Sequence, residues 1–479
     1  MDPRGLLGPF KRRCATFSLS YLLILSACCS EVFCSDSRSA DFLPGTDSWD
    51  DIPDATYEVI YEREVVITVP SGDLKGVLFA LPGCLQLTTE WGFQSATCPS
   101  CHGMPEEMVS VYRAAKRGYA LVALGAHLSE AERNFHCFNT TWPPERHIEL
   151  PELVRTLRHV LSARDWWHLP RFAFGSSRGG AMTLILALRF PFQAVGSMVM
   201  GMRPEEVMEA ELQPRNLASG ALWAFPPTLL MAARNDQDEI IDLINRTEAH
   251  LESQGVLVQK MMMEPYPLSP AFFNQRMKGI DLETSTAIFE ELKAAGIIRD
   301  DNQSHFGLFE TWKKAEAQLR KILLKHFPAD LGVKNGSRGY ERAFREMLWA
   351  SEAIHELTAE HMDEMLDFFE SSAVSDESPL HDAHPFVQLP AEAGSDVSAD
   401  VAAQPGDSAE VLPAQAGSRA EGQTEIRGEA AARPGNSTEA VAARAEEEKQ
   451  SRHTHAYKHH SHAHALGEVR STQTNPATG

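Results

Sequence analysis

Phe172-Ala-Phe-Gly175-Ser176-Ser177-Arg178-Gly179-Gly180-Ala181-Met182 is an apolar run that breaks at a glycine-rich bend and resumes as a second apolar segment. Its centre, Gly175 to Gly179, has the form G-x-S-x-G. A strand that passes into a helix within so few residues must bend sharply. Small residues two before and two after the central serine leave room for that bend. The serine then stands at the apex of a strained turn, and the helix N-terminus behind it favours negative charge nearby. Ser177 is therefore the candidate nucleophile, Gly175 and Gly179 are the glycines of the bend, and the backbone N–H of Arg178 is a candidate oxyanion donor. The bland alternative is a glycine-rich turn whose serine is inert.

A nucleophilic serine needs a base, and the base needs an orienting acid. For this motif the chain order is serine, acid, histidine. Pro227-Thr-Leu-Leu-Met-Ala-Ala-Arg-Asn-Asp236 reads as a buried strand ending in an acidic loop, which makes Asp236 the candidate acid and Asp238 the fallback. Its competing reading is a cap for a helix from Glu239 onward. Downstream, Ser304-His305-Phe306-Gly307 precedes a long amphipathic segment, and His305 is the candidate base; a surface-loop histidine is the alternative. The residues between, 264–300, read as a cap over the site. A second oxyanion donor is expected from the turn Leu81-Pro82-Gly83-Cys84, through the N–H of Cys84 or Leu85.

Around this centre, strand and helix patterns alternate. Tyr57–Pro70 and Gly76–Leu81 read as two strands of a hairpin-like opening, with the bend at Ser71-Gly72-Asp73. Tyr119–Leu124, Arg171–Phe174, Ala194–Met200, Pro227–Ala232 and Val256–Met263 read as further strands. Pro105–Arg117, Leu150–Ala163, Ala181–Arg189 and Thr311–His326 read as helices. Such alternation implies a mostly parallel α/β sheet with helices on both faces, over residues 50–330. Residues 338–372 add helices docked on this domain. From about 373 to 479 the composition turns to Ala, Glu, Gly, Ser, Pro and Gln, which cannot bury enough surface to order itself; this tail is expected to be disordered.

The chain resembles a group of plant and algal proteins of the α/β-hydrolase fold. The resemblance rests on Leu81-Pro-Gly-Cys84, Trp91, Cys98-Pro-Ser-Cys101, Gly103-Met-Pro-Glu-Glu107, Arg117-Gly-Tyr-Ala-Leu-Val-Ala123 and the Ser177-Arg-Gly-Gly180 bend, and runs from about residue 55 to 370. It implies that fold and a hydrolase activity, and it supplies no substrate.

The N-terminus carries Arg4, Lys11, Arg12 and Arg13, then an apolar run to Ala27 and small residues. Residues 1–34 read as a cleaved secretory signal, with an uncleaved signal anchor as the competing reading; the run is shorter than the ~20 residues of a membrane span. Removal of Cys14, Cys28, Cys29 and Cys34 with the signal leaves Cys84, Cys98, Cys101 and Cys137. Four cysteines in an oxidising compartment suggest disulfides in any of three pairings. Sequons at Asn139, Asn245, Asn302, Asn335 and Asn436 agree with export and a glycoprotein. Cys98-x-x-Cys101-His102 also admits a haem, redox or zinc reading, but a loop staple accounts for it more simply. His355 and His361 stand six apart, whereas a zinc protease helix needs histidines four apart, so this pair reads as no metal site. The tail histidines from His453 to His464 form a low-complexity tract.

Of 479 residues, 66 are acidic and 44 basic, a net charge of −22. That balance argues against a nucleic acid or an anionic membrane as partner. The expectation is a secreted serine hydrolase of the esterase or lipase kind, acting on a small-molecule ester or peptide. No cofactor, no metal and no stable membrane span after signal cleavage are implied, and the oligomeric state is not legible. Two rivals are a non-catalytic binding protein on the same fold and a redox or metal module built on the cysteines.

Overall fold

A computed structural model describes residues 46–128, 136–140, 149–202, 215–216, 222–223, 225–307, 312–327 and 339–374. The signal segment and the tail lie outside the described residues.

The chain opens with a hairpin of β1 (Thr56–Val59) and β2 (Arg63–Thr68). The turn between them places Tyr61 and Glu62 at φ 48° and 53°, with Ile60 and Arg63 exchanging both backbone hydrogen bonds. Two consecutive left-handed residues give the tight turn whose twist suits an antiparallel pair. This corrects the sequence reading, which ran one strand from Tyr57 to Pro70 and bent the hairpin at residues 71–73. Neither Tyr61 nor Glu62 is a residue type that advertises such a turn.

Six further strands complete the main sheet: β3 (Gly76–Leu81), β4 (Tyr119–His127), β5 (Arg171–Ser176), β6 (Ala194–Met198), β7 (Thr228–Ala233) and β8 (Val258–Met263). Their order is β1-β2-β4-β3-β5-β6-β7-β8. Only β1 and β2 run antiparallel to their neighbours; from β4 onward every pairing is parallel. Parallel neighbours need crossovers, so a helix follows most strands. Strands β3, β5 and β7 are buried at every residue, which is why they read as apolar runs rather than alternating patterns. This is the α/β-hydrolase fold, a mostly parallel sheet covered on both faces.

One face is covered by α2 (Glu149–Ala163), α3 (Arg178–Ala187) and α4 (Asp238–Ser253), through residues such as Leu153, Leu157, Leu184 and Ile244. The other is covered by α1 (Pro105–Lys116) and by α9 (Met362–Val374), through Met108, Val111, Leu366 and Phe369. The rings of Phe172 in β5 and Phe369 in α9 stack at 5.2 Å. A third apolar cluster joins α5 (Phe272–Arg276), α6 (Leu282–Ala294), α7 (Trp312–His326) and α8 (Tyr340–Ser351), around Phe273, Phe289, Leu323 and Phe344. No helix among the described residues is long and apolar enough to cross a membrane.

Buried charge pins α9 and the loop before it. Arg276 pairs with Glu106 at 3.1 Å and Glu360 at 2.6 Å. The other oxygen of Glu106 accepts the N–H of Ala359, and Arg113 donates to the carbonyls of Ala359 and Glu360. Among the pairings left open by the sequence, the structure forms Cys84–Cys137 and Cys98–Cys101.

Candidate active site

At the end of β5 the chain bends into α3 through Ser177, which adopts φ 51° and ψ −124°. Such a backbone is costly for a non-glycine residue and persists only where its surroundings hold it. Here they do: the Ser177 N–H donates to Met198 O, and Ala181 N–H closes the first helical turn on Ser177 O. The glycines explain themselves sterically. A Cβ on Gly175 would stand 2.5 Å from the Gly179 carbonyl, and one on Gly179 would stand 2.0 Å from Leu81 O. Gly180, third after the serine, is as tightly enclosed, with Ser197 Oγ 2.5 Å from a Cβ there. The bend thus lets α3 begin at Arg178, three residues before the helix expected from the sequence, and lie directly against the turn after β3.

One imidazole meets the Ser177 hydroxyl, and one carboxylate stands behind that imidazole. His355 Nε2 lies 2.8 Å from Ser177 Oγ, and His355 Nδ1 lies 2.9 Å from Asp236 Oδ2 and 3.2 Å from Oδ1. The Asp236 side chain is 1% exposed and that of His355 14%, so the acid is sealed while the imidazole keeps an edge to the site. With Nδ1–H donating to Asp236, Nε2 is left to accept the serine proton. Asp236 sits just beyond β7 and before α4, in the acidic loop the sequence indicated, whereas the fallback Asp238 heads α4 and is exposed. Asp236 does not cap that helix, whose first flanking residue is Gln237.

The candidate base differs from the one expected. The imidazole that meets Ser177 is that of His355, not His305. His305 lies beyond α6, where its N–H donates to Ile297 O, next to the bridge between Ile298 and Ser304. Its neighbours Ser304, Phe306 and Gly307 all donate to the carboxylate of Glu352. That loop therefore buttresses the segment carrying His355 instead of supplying the ring. The sequence offered one signal for His355: it follows a strongly amphipathic helix and is the first histidine after His326. Its six-residue spacing to His361 fits no zinc-protease helix and points to no other chemistry.

The turn after β3 lies against the bend. Gly83 N–H donates to Gln86 Oε1 at 2.6 Å and Gln86 N–H to Gly83 O at 3.3 Å, closing four residues whose third, Leu85, has φ 68°. A Cβ on Gly83 would stand 3.1 Å from Ser176 Oγ. Cys84, at the second position, is tied to Cys137 by its disulfide. Arg178, on the other side of Ser177, turns its guanidinium outward to Thr140 Oγ1 at 2.7 Å, leaving its backbone at the head of α3. Beside His355, burial and the nearby Glu346 push the Glu356 carboxyl up to about 8, so this neighbour is largely uncharged at neutral pH.

Among solved structures the chain is similar to a lipase in its open form, at 10% identity over 43% of this chain and 89% of the lipase, with a TM-score of 0.29. It is similar to a thermostable esterase at 14% identity over 45% of this chain and 55% of that one, with a TM-score of 0.31. It is also similar to the Pyrococcus horikoshii acylaminoacyl peptidase at 14% identity over 49% and 44% of the two chains, with a TM-score of 0.32. The chain spans about half the length of the latter two. No protein-family model matches the sequence, and no curated protein does.

Proposed function

We propose that the protein is a serine hydrolase that cleaves carboxylic esters, with Ser177 as nucleophile, His355 as general base and acid, and Asp236 as the orienting acid. The observation that carries this reading is the unbroken relay of 2.8 Å from Ser177 Oγ to His355 Nε2 and 2.9 Å from Nδ1 to Asp236. Ser177 Oγ attacks the ester carbonyl while its proton passes to Nε2. The oxygen of the carbonyl becomes an oxyanion, received by the N–H groups of Arg178 and Cys84 that flank the nucleophile from α3 and from the β3 turn. The C–O bond to the alcohol breaks, the imidazolium returns its proton to that leaving group, and an acyl group remains on Ser177. Water then adds its oxygen to the acyl carbon as Nε2 takes its proton; the ester bond to Ser177 Oγ breaks, the imidazolium returns that proton to Oγ, and the carboxylic acid leaves.

A binding protein that keeps the bend for packing alone needs no imidazole against the serine and no buried carboxylate behind the imidazole. The presence of both favours catalysis. Two disulfides fit the oxidising compartment that residues 1–34 suggest, so the enzyme is read as an exported one. The test is fluorophosphonate labelling of the full chain with hydrolysis of p-nitrophenyl acetate. Both should vanish in Ser177→Ala; labelling that persists in that variant sinks the assignment.

A further inference from the structure

Three of the four chain segments that assemble the site, all but the Asp236 loop, are touched by one side chain that the relay does not use. Gln86 is buried. Its Oε1 accepts the Gly83 N–H at 2.6 Å and the Ser176 hydroxyl at 3.1 Å, while its Nε2 donates to Glu356 Oε1 at 3.1 Å. Gly83 directly precedes Cys84, Ser176 directly precedes Ser177, and Glu356 directly follows His355. Every contact of this amide falls one residue from a group of the proposed reaction.

We propose that Gln86 is a positioning residue: by holding Gly83, Ser176 and Glu356 on one rigid amide, it sets the Cys84 N–H against Ser177 and His355 in the geometry that acyl transfer needs. The inference rests on the acyl-transfer reading of Ser177 and His355. Its physical basis is the turn itself. Leu85 is held left-handed without being glycine, and such a backbone stays only where neighbours over-determine it. The Gln86 backbone closes that turn from one end and its side chain closes it from within, on the N–H next to Cys84. A primary amide suits the position. Its oxygen takes two donors at once, while its nitrogen donates to the carboxyl beside His355, and no other uncharged side chain of this length does both.

The test uses the full chain, p-nitrophenyl acetate and active-site titration with a fluorophosphonate, on Gln86→Ala, Gln86→Met and Gln86→Glu. Met keeps the volume and removes every hydrogen bond; Glu keeps the acceptor for Gly83 and Ser176. The expected result is a loss of about 10- to 100-fold in kcat per titrated site for Ala and Met, with KM near wild type and Glu in between, because misplacement by about 1 Å costs on that order. A role in stability alone lowers the melting temperature and leaves kcat per titrated site unchanged, which overturns the inference. Failure of all three variants to fold overturns it too, since Gln86 is then a structural core residue. An inactive, unlabelled wild-type chain removes the acyl-transfer reading beneath it, whereas active wild type with unaffected variants removes this inference alone.

Discussion

The side-chain amide of Asn235 donates to the carbonyl of Glu352 at 2.8 Å, across 117 residues of chain. The Asn235 backbone N–H adds a second bond, to Ala353 O at 2.9 Å. The loop that ends in Asp236 is thereby stitched to the loop that carries His355, and the two side chains keep their distance through contacts outside the relay. Substitutions separate the two histidines. His355→Ala and Asp236→Asn should each lower kcat on p-nitrophenyl acetate by about 10⁴-fold. His305→Ala should leave kcat near wild type; the reverse ranking would return the base to His305.

Glu356 gives stability a defined pH dependence. Its carboxyl titrates near 8 in the folded chain against an ordinary value of 4.5, chiefly because burial penalises the charge. A raised value means that the stabilising contribution is complete below about pH 4.5 and is lost as pH rises toward 8. Glu356→Gln keeps an oxygen for the Leu357 N–H and the Gln86 amide and removes the charge. Its melting temperature should match wild type at pH 5 and exceed it at pH 8.5. Thermal unfolding at the two pH values measures this; an advantage confined to pH 5 contradicts it.

The two disulfides should differ in worth. Cys84–Cys137 closes 53 residues of sequence separation and Cys98–Cys101 closes 3. Loop-closure entropy assigns about 4 kcal/mol to the first and about 1.5 kcal/mol to the second. Paired alanine substitutions, compared by urea midpoint, should show the larger loss for Cys84 and Cys137. That pair should also lower kcat, because Cys84 lies in the turn beside Ser177.

Arg276 is 2% exposed and balances Glu106 and Glu360. Arg276→Met leaves two carboxylates without their cation and should destabilise the fold by about 3–5 kcal/mol. Adding Glu106→Gln should recover part of that loss in denaturant unfolding. If the double variant is no more stable than the single, the pair is not what the arginine serves.

What the sequence made legible was local. The bend at Gly175–Gly179 declares itself because its steric demand is met by residues two apart, and the buried strands β5 and β7 declare themselves as unbroken apolar runs. Asp236 followed from the end of such a strand. His355 did not, because its place depends on where α8 comes to rest and on Arg113, Arg276 and Asn235 gripping a loop more than a hundred residues away from any of its partners in the relay. Tyr61 and Glu62 hid a hairpin turn for a simpler reason, since neither carries the glycine or asparagine by which such turns are recognised. Gln86 gave no signal at all: a lone glutamine in a turn means nothing until Ser176 and Glu356 are seen to converge on it.

The imidazole of the relay arrives on almost the last described stretch of the chain, between α8 and α9, and the loop bearing it is held by residues made much earlier. A ribosome therefore delivers the proposed nucleophile and acid, Ser177 and Asp236, long before the proposed base. Throughout translation up to residue 355 Ser177 is displayed without the imidazole proposed to take its proton, and on that reading the polypeptide is chemically unarmed until α9 has been laid across the sheet.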